Sequence, residues 1–367
     1  MTTNNDSRAE SPPIDEEIES IPWHTTFAAR QLPQPRWSDY KNNIQRIVQT
    51  NPHGKQRKTV QWLDWSCDGK RLASCGYEKV VRIWSPEKST DLRSTASLSG
   101  GHTEHIDQVA WSPVHKDLLC SISSEDRRVC FWDARQSKVA QNIRLDGPPW
   151  QISYAPDGKT LILYGNHNGR LISVFQQEKR PEDGKDTWVN LDAPKSSLEK
   201  HAPSMSVMDF CWLNSGKALA FGCTDGSLRI VGYPSLQEIH MENSHNGQCN
   251  TLDVHPRRHF IATGGNDAIM YIWDMEEWMC VRTCSPYDET VNWLRFSHDG
   301  EWVATVVAKQ KEVTLINFEM GEVGHRIKTV GEVNCLAWHP SRLLLASCGD
   351  EDDKANVGWV SFFNPPS

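Results

Sequence analysis

The sequence predicts an all-β fold: a closed ring of seven four-stranded blades, a β-propeller, behind an N-terminal tail. Three observations carry this. The phase markers Trp65, Trp111, Tyr154, Trp212, Val254, Phe296 and Trp338 recur at spacings of 46, 43, 58, 42, 42 and 42 residues. The stretches Val81–Ser85 (VRIWS), Val129–Asp133 (VCFWD) and Met270–Asp274 (MYIWD) close their units alike. Tryptophan is abundant, 16 in 367 residues, as one Trp-bearing unit used repeatedly would make it.

A period in the low forties with a Trp-Asp ending is the signature of the WD repeat, four strands per blade. The second unit shows the strands: Ile106–Trp111, Asp117–Ser121, Val129–Trp132 and Val139–Leu145 alternate or run apolar. Asp68-Gly69, Asp157-Gly158 and Asp299-Gly300 supply the turn after the first strand, where glycine permits the positive φ of a tight hairpin. The last unit provides three strands, Val333–Trp338, Leu343–Cys348 and Trp359–Phe363. Ile44–Val48 is a spare strand of the right length. The expectation is a seven-bladed WD40 β-propeller closed by an N-terminal strand, which removes exposed sheet edges. Residues 1–36, rich in Pro, Ser and acid, read as a disordered tail, and 37–367 as the propeller. The long 58-residue spacing reads as a charged, solvated insertion over about 176–203, after the third blade.

Each blade needs a device that fixes its register. A buried set of His, Ser or Thr, Asp and Trp satisfies this, because carboxylate, imidazole, hydroxyl and indole N–H partner one another inside the sheet. The second unit offers His102, Asp126 and Trp132, and the fifth offers His245, Thr263, Asp267 and Trp273. The first has His53, Ser74 and Trp84, with Glu78 where Asp is expected. The third, fourth, sixth and seventh units lack the Trp and most of the set; Asn168 and Asp225 keep the turn position, and these blades are expected to rely more on plain packing.

Other features point away from chemistry. Gly158-Lys159-Thr160 resembles the end of a phosphate loop, but Gly-Lys recurs at 69–70 and 216–217 at the same phase, so it is a turn. The 14 histidines include His102 and His245 at the register position, and the 11 cysteines form no CxxC pair; they read as small buried thiols on strands, and no metal site is expected. Asp350–Asp353 lacks the spacing of a calcium loop and reads as a solvated charge run. Lys55–Lys58 reads as a solvated basic loop, and Ser11-Pro12 as a candidate phosphorylation site in the tail. No catalytic residues and no cofactor are expected. Lys plus Arg is 39 against 47 Asp plus Glu, a net charge of -8, which argues against gripping RNA over the whole surface. No apolar run approaches a membrane span, and the polar start does not read as a secretory signal, so a reducing compartment is expected.

Leu63–Ala73 (LDWSCDGKRLA), Tyr233–Glu238 (YPSLQE), Asn266–Gly300 with IWDMEEWMCVRTCSP and FSHDG, and Ala337–Ala346 (AWHPSRLLLA) carry a more specific resemblance. Over roughly Lys58 to Phe363 the chain resembles the WD-repeat subunit family of the THO complex, part of the TREX assembly. It departs in the tail, in the insertion and over Val303–Lys311. The resemblance implies a nuclear, non-catalytic scaffold that couples transcription to mRNP assembly and mRNA export. Its partners would be other THO subunits, with RNA reached indirectly, and with no small-molecule substrate and no membrane. A second reading rests on Trp132-Asp133-Ala134-Arg135, which resembles the docking motif of WD-repeat substrate receptors of cullin-type ubiquitin ligases. A third is another nuclear WD scaffold. The expected contact surface is one rim of the ring, with Tyr77, His105, Glu125, Trp150, His167, Thr224 and Asn266; Trp150 either anchors a partner or packs between blades.

Overall fold

Each unit folds as an antiparallel meander, and the computed structural model describes residues 35–48, 60–136, 138–167, 170–180, 186–191, 194–201, 204–351 and 357–364. Strand β1 (Lys41–Val48) precedes the first unit. Blade 1 is β2 (Val60–Trp65), β3 (Leu72–Gly76), β4 (Val81–Trp84) and β5 (Ala96–Leu98). Blade 2 is β6 (Gln108–Trp111), β7 (Leu118–Ser123), β8 (Arg128–Asp133) and β9 (Val139–Arg144). Blade 3 is β10 (Pro149–Tyr154), β11 (Thr160–His167), β12 (Arg170–Lys179) and β13 (Asp186–Leu191). Blade 4 is β14 (Val207–Trp212), β15 (Ala218–Cys223), β16 (Ser227–Gly232) and β17 (Glu238–Asn243). Blade 5 is β18 (Cys249–Val254), β19 (Phe260–Gly265), β20 (Met270–Asp274) and β21 (Met279–Cys284). Blade 6 is β22 (Val291–Phe296), β23 (Trp302–Val307), β24 (Glu312–Asn317) and β25 (Val323–Lys328). Blade 7 takes β26 (Glu332–Trp338), β27 (Leu345–Asp350) and β28 (Val357–Asn364) from the C-terminal end.

The fourth strand of blade 7 is β1. It pairs antiparallel with β28 along its whole length, from Lys41 opposite Asn364 to Val48 opposite Val357. The sheet order β1-β28-β27-β26 makes the seventh four-stranded sheet, and the fold is a seven-bladed WD40 β-propeller. A short 3-10 turn, Trp37–Asp39, seats Trp37 against Trp302 (4.9 Å between ring centroids), Tyr40 and Phe363 just before β1 begins.

The core is distributed. One apolar cluster fills each seam between neighbouring blades, so every blade buries both faces. The seam between blades 7 and 1 joins Leu63, Trp65 and Trp84 to Ile47, Cys335, Val360 and Phe362. At two seams a histidine after one inner strand enters the Asp-Gly turn of the next blade. His339 Nε2 lies 3.0 Å from the Gly69 carbonyl, and His255 packs under Gly300. Gly69 and Gly300 have φ of +69° and +77°, and a Cβ at either would fall 2.2 Å from the imidazole.

Two expectations need correction. The stretch 176–203 is not a loop that follows blade 3. Its first residues complete β12, and Asp186–Leu191 is the blade's outer strand β13, with a 3-10 turn over Ser197–Lys200. The hairpin runs on through charged residues because the outer ends of both strands face water, while Trp188 turns inward, stacked on Phe131 at 5.1 Å and edge-on to Tyr154 at 5.6 Å. Nor are Asp350 and Glu351 merely solvated. Asp350 accepts from Asn334 Nδ2 (2.9 Å), and Glu351 pairs with Arg46 of β1 (3.2 Å), tying the closing strand to the turn. Residues 1–34 of the tail (with Ser11), His53, Lys55–Lys58, Asn168, Glu182, Asp183, Asp352 and Asp353 lie outside the described residues.

Candidate functional site: register locks, channel, groove and rim

In blade 5 the polar set forms one buried chain. Trp273 Nε1 donates to Thr263 Oγ1 (3.1 Å), the Thr263 hydroxyl meets His245 Nε2 (3.0 Å), and His245 Nδ1 meets Asp267 Oδ1 (2.9 Å). Burial holds the His245 pKa below the usual histidine value although Asp267 pulls it up. A neutral ring with its proton on Nδ1 lets every donor in the chain find an acceptor. The other Asp267 oxygen caps the Asn246 N–H (3.1 Å). Blade 2 repeats this with Trp132, Ser121, His102 and Asp126 at 2.8, 2.8 and 3.0 Å. Burial raises the Asp126 pKa, but the His102 bond, the His102 charge and the Thr103 N–H together bring it below the usual carboxylate value.

Blade 1 keeps Trp84 Nε1 donating to Ser74 Oγ (2.8 Å), while Glu78 turns to an ion pair with Arg82. The blades without the tryptophan are not held by packing alone. In blade 6 the Tyr287 hydroxyl takes the histidine's place and meets Thr305 Oγ1 (2.5 Å). In blade 4 Arg229, buried in the sheet, pairs with Asp225 (3.1 Å) and Glu238 (2.7 Å). Blade 7 pairs Ser347 with Ser361 (2.7 Å), and in blade 3 the Ser173 hydroxyl meets His167 Nδ1 (3.2 Å). Tyr287 was findable: it stands four residues before its inner-strand Val291, as His245 stands before Cys249.

The inner strands enclose a channel of about 360 Å³. Side chains stitch each blade to the next around it. Asp64 accepts from the Trp111 N–H (2.6 Å), and Gln108 bonds both Ile152 backbone groups (2.7 and 2.9 Å). Gln151 donates to Asp209 (2.7 Å), which accepts from the Leu252 N–H (3.2 Å). Asp253 accepts from the Phe296 N–H (2.7 Å), Trp338 Nε1 donates to the Arg295 carbonyl (3.0 Å), and Asn334 to the Val60 carbonyl (2.9 Å). Arg295 reaches Asp209 (3.2 Å), and burial is outweighed by Asp209 and Asp253, which raise its pKa. Burial also lifts Asp64 to about 7 and Asp253 to about 6, against the backbone N–H groups that each accepts. The channel carboxylates are committed to inter-blade bonds, which is a structural use.

A lateral groove of about 610 Å³ opens between blades 2 and 3, over Phe131, Tyr154 and Trp188, with Asp133, Arg135 and Lys159 at its edges. Gln141 spans its outer end, holding both backbone groups of Trp188 at 2.8 Å. Arg135 of the Trp-Asp-Ala-Arg stretch folds its guanidinium back onto Asp133 (2.6 Å) while remaining 63% exposed. Among the described residues no cluster of His, Cys, Asp and Glu has metal-ligand geometry, and no helix is long and apolar enough to cross a membrane. All 11 cysteines are free; most are buried, but Cys280 is exposed.

The rim residues fare differently from one another. Trp150 is 46% exposed, resting on Tyr164 at 5.2 Å. Asn266 is exposed, its side chain accepting from Asn250 (2.8 Å). Glu125 is exposed and lies 3.3 Å from His105, which also meets Asp107 (2.9 Å). Tyr77 and Thr224 are half-buried, with Thr224 Oγ1 accepting from the Ser206 N–H (2.9 Å). His167 does not join the surface: it is 7% exposed, turned into blade 3 toward Ser173.

The family model for the WD domain, G-beta repeat, matches residues 45–85, 93–133, 236–274 and 320–357, the repeats of blades 1, 2, 5 and 7. The chain is 27% identical over 295 residues to THO complex subunit 3 of Arabidopsis thaliana, spanning 80% of this chain and 88% of that protein. It is 22% identical to the WD repeat-containing protein AAC3 of Dictyostelium discoideum, over 80% of this chain and 62% of that one. It is also 23% identical to the WD repeat-containing protein WDS homolog of Arabidopsis thaliana, over 64% of this chain and 42% of that one. The solved β-propeller domain of Cps50 (Swd1) from Myceliophteria thermophila superposes with a TM-score of 0.65 at 19% identity, covering 86% of this chain and 98% of that domain. This last likeness speaks to the fold alone.

Proposed function

We propose that this chain is a non-catalytic scaffold subunit of a nuclear THO/TREX assembly, serving transcription-coupled mRNP packaging and mRNA export through protein–protein contacts. The observation that carries the reading is the likeness to THO complex subunit 3, which spans 80% of this chain and 88% of that one and so includes blades that the repeat model passes over. The physical character of the ring supports it. Seven filled seams and a stitched channel make a rigid body, so a partner that docks on its rim loses little to ordering the scaffold. Polar groups whose burial shifts their protonation, among them Asp64, Asp253 and His245, are engaged in holding strands together. The register locks at His102, Asp126, Trp132, His245, Thr263, Asp267, Trp273, Ser74 and Trp84 then serve to keep that body in one shape. The net charge of -8 favours RNA reaching the assembly through basic partners.

Co-expression with the other THO subunits, followed by size exclusion, tests the reading. The expected result is one stable peak containing this chain. Separate elution, or nanomolar binding of RNA by the isolated chain at physiological salt, would overturn it.

A further inference from the structure

The turns that join the first two strands of blades 1–5 form one continuous arc on a single rim of the ring. Arg71 of the first turn pairs with Asp117 of the second. Val114 of the second lies over Gly158 of the third, and Pro156 of the third faces Gly216 of the fourth. Asn214 of the fourth donates to the His255 carbonyl of the fifth (2.8 Å). Blades 1–4 carry a lysine at the same place, five residues after the markers Trp65, Trp111, Tyr154 and Trp212. These are Lys70, Lys116, Lys159 and Lys217, all exposed, and blade 5 adds the exposed Arg257.

The arc carries a surplus of cations. With Arg71 and Arg258 the five turns hold seven, against three carboxylates, Asp68, Asp117 and Asp157. Asp117 is taken by Arg71, while Asp68 and Asp157 accept N–H groups of their own turns, from Lys70 (3.2 Å) and Lys159 (2.8 Å). Arg258 pairs with Glu319 (3.2 Å). The four lysines and Arg257 form no ion pair among the described residues. On the outer turns of blades 1–4 the described charges balance: Glu87 pairs with Arg342, Asp133 with Arg135, and Asp186 stands across from Lys179. The surplus ends where acid begins, at Glu276 and Glu277 of blade 5 and at Asp299 and Glu301 of blade 6.

Between the lysines the arc is apolar, with Pro113 and Pro156 exposed and Val114 61% exposed. The groove between blades 2 and 3 opens here: Val114, His115, Gly158 and Lys159 edge it, over Phe131, Tyr154 and Trp188. Charges at its mouth cancel, Arg135 with Asp133, and Lys159 and Arg180 against Asp157 and Asp186. About 610 Å³ over three rings therefore suits an uncharged aromatic side chain, and the cations to either side suit carboxylates. We infer that this arc and groove dock an acidic peptide segment of another subunit, which sets an aromatic side chain into the groove and lays Asp or Glu over Lys116, Lys159 and Lys217. A protein segment fits better than RNA, because the cations are single lysines on separate turns and these turns hold no Trp, Tyr or Phe on which a base could stack. This inference rests on the scaffold reading above and gives it a point of contact.

The test uses the full chain and three variants. Lys159→Glu/Lys217→Glu reverses the arc, and Ala140→Trp narrows the groove at its exposed edge. Lys309→Glu/Lys328→Glu makes the same charge change on the opposite rim of blade 6. The first probe is a designed fluorescent peptide with one central Phe among Glu and Asp, compared with the same peptide carrying Ser for Phe and with its Lys counterpart. The second is a set of peptides tiled across the other THO subunits, with oligouridine RNA alongside. The expected result is binding of the acidic Phe peptide and of tiled peptides that share its chemistry. It should weaken at least tenfold in Lys159→Glu/Lys217→Glu, severalfold in Ala140→Trp, and not measurably in Lys309→Glu/Lys328→Glu. Preference for the basic peptide, equal binding of the Phe and Ser peptides, indifference to the arc variant, no binding of the acidic peptide, or oligouridine binding that the arc variant abolishes would each overturn the site. If the wild-type chain elutes apart from the THO subunits yet binds the designed peptide through Lys159 and Lys217, the scaffold reading fails and the site stands. If the arc variant joins the complex as tightly as wild type, the site fails and the scaffold reading stands.

Discussion

Blades 4 and 5 are neighbours with six-residue inner strands and the same antiparallel order, yet they are locked by different chemistry. Blade 5 runs one chain of neutral and charged groups, buried from Trp273 to His245 and ending at the part-buried Asp267. Blade 4 sets an arginine, Arg229, in the sheet and balances it with Asp225 and Glu238 nearer to water. The difference teaches that the register of a blade needs a satisfied polar set, but not a particular one. What does not vary is the seam: apolar packing and side-chain stitches join every blade to the next. Freed from the repeat's residue choices, blades 3 and 4 carry Trp150 and Met208 at the bulge where the inner strand's pairing slips by one residue, whereas blades 1, 5, 6 and 7 carry the amides Gln61, Asn250, Asn292 and Asn334 there.

If seams matter more than locks, opening the ring should cost more than breaking any one lock. Removing residues 1–50 takes β1 from blade 7, with Trp37 and Ile47 from two seams. The expected outcome is a melting temperature lowered by about 4 °C or more, or no soluble product, as expected for a loss beyond about 3 kcal/mol in a unit of this size. Removing residues 1–35 should change it far less, since the compact unit begins at Arg36. Equal melting temperatures for the two truncations would refute the closure argument.

Next come the locks themselves. Asp267→Ala leaves the His245 donor without its acceptor in a buried site and hands the exposed Asn246 N–H to water, at a cost of about 1–3 kcal/mol. Asp225→Ala leaves Arg229 with Glu238, and its carboxylate is one-third exposed, so the loss should stay below about 1 kcal/mol. Urea titration of both variants decides it, and matching midpoints would mean that the two locks are equivalent after all. In blade 6, Tyr287→Phe deletes only the hydroxyl that meets Thr305, with an expected loss of about 1 kcal/mol. No loss there would show that blade 6 is held by packing alone.

These residues also mark how far the sequence can be read. The ring and its closing strand were legible because Trp65-like markers and the spare Ile44–Val48 segment report strand number and order directly. The set around His245 was legible because its residue types are distinctive at fixed spacing. Substitutes such as Arg229 and Tyr287 were not recognised, because the same bond is made by a different residue type. Strand β13 was hidden because Glu178, Lys179 and Asp186 give its hairpin the look of a loop; Trp188 was the one strong signal for it. The bulges at Trp150 and Met208 left no mark, since a slip of pairing changes which way a side chain points without changing composition.

The smallest expected effect separates locks from stitches by pH. Histidines that burial keeps neutral, His245 and His255 (the latter lowered to about 4, with Arg258 and Arg257 adding to burial), bind protons more readily once unfolded. Their stabilisation is present above the unfolded value near 6.5 and is lost as pH falls toward the folded value. Asp64 works the other way. Its folded pKa of about 7 lies above the usual 3.8, so its contribution is complete below about pH 4 and is lost as pH rises through 7. Between pH 7.5 and 5.5 the two effects oppose each other in the wild-type chain. Asp64→Asn removes the opposing stitch, so its melting temperature should fall more steeply on acidification than that of wild type. The difference should be about 1 kcal/mol or less across that interval, because the Asp64 oxygens also accept two backbone N–H groups that favour the ionised form. Parallel melting curves for the two proteins from pH 7.5 to 5.5 would mean that Asp64 is ionised throughout that range, and that the carboxylate stitches owe more to backbone amides than to burial.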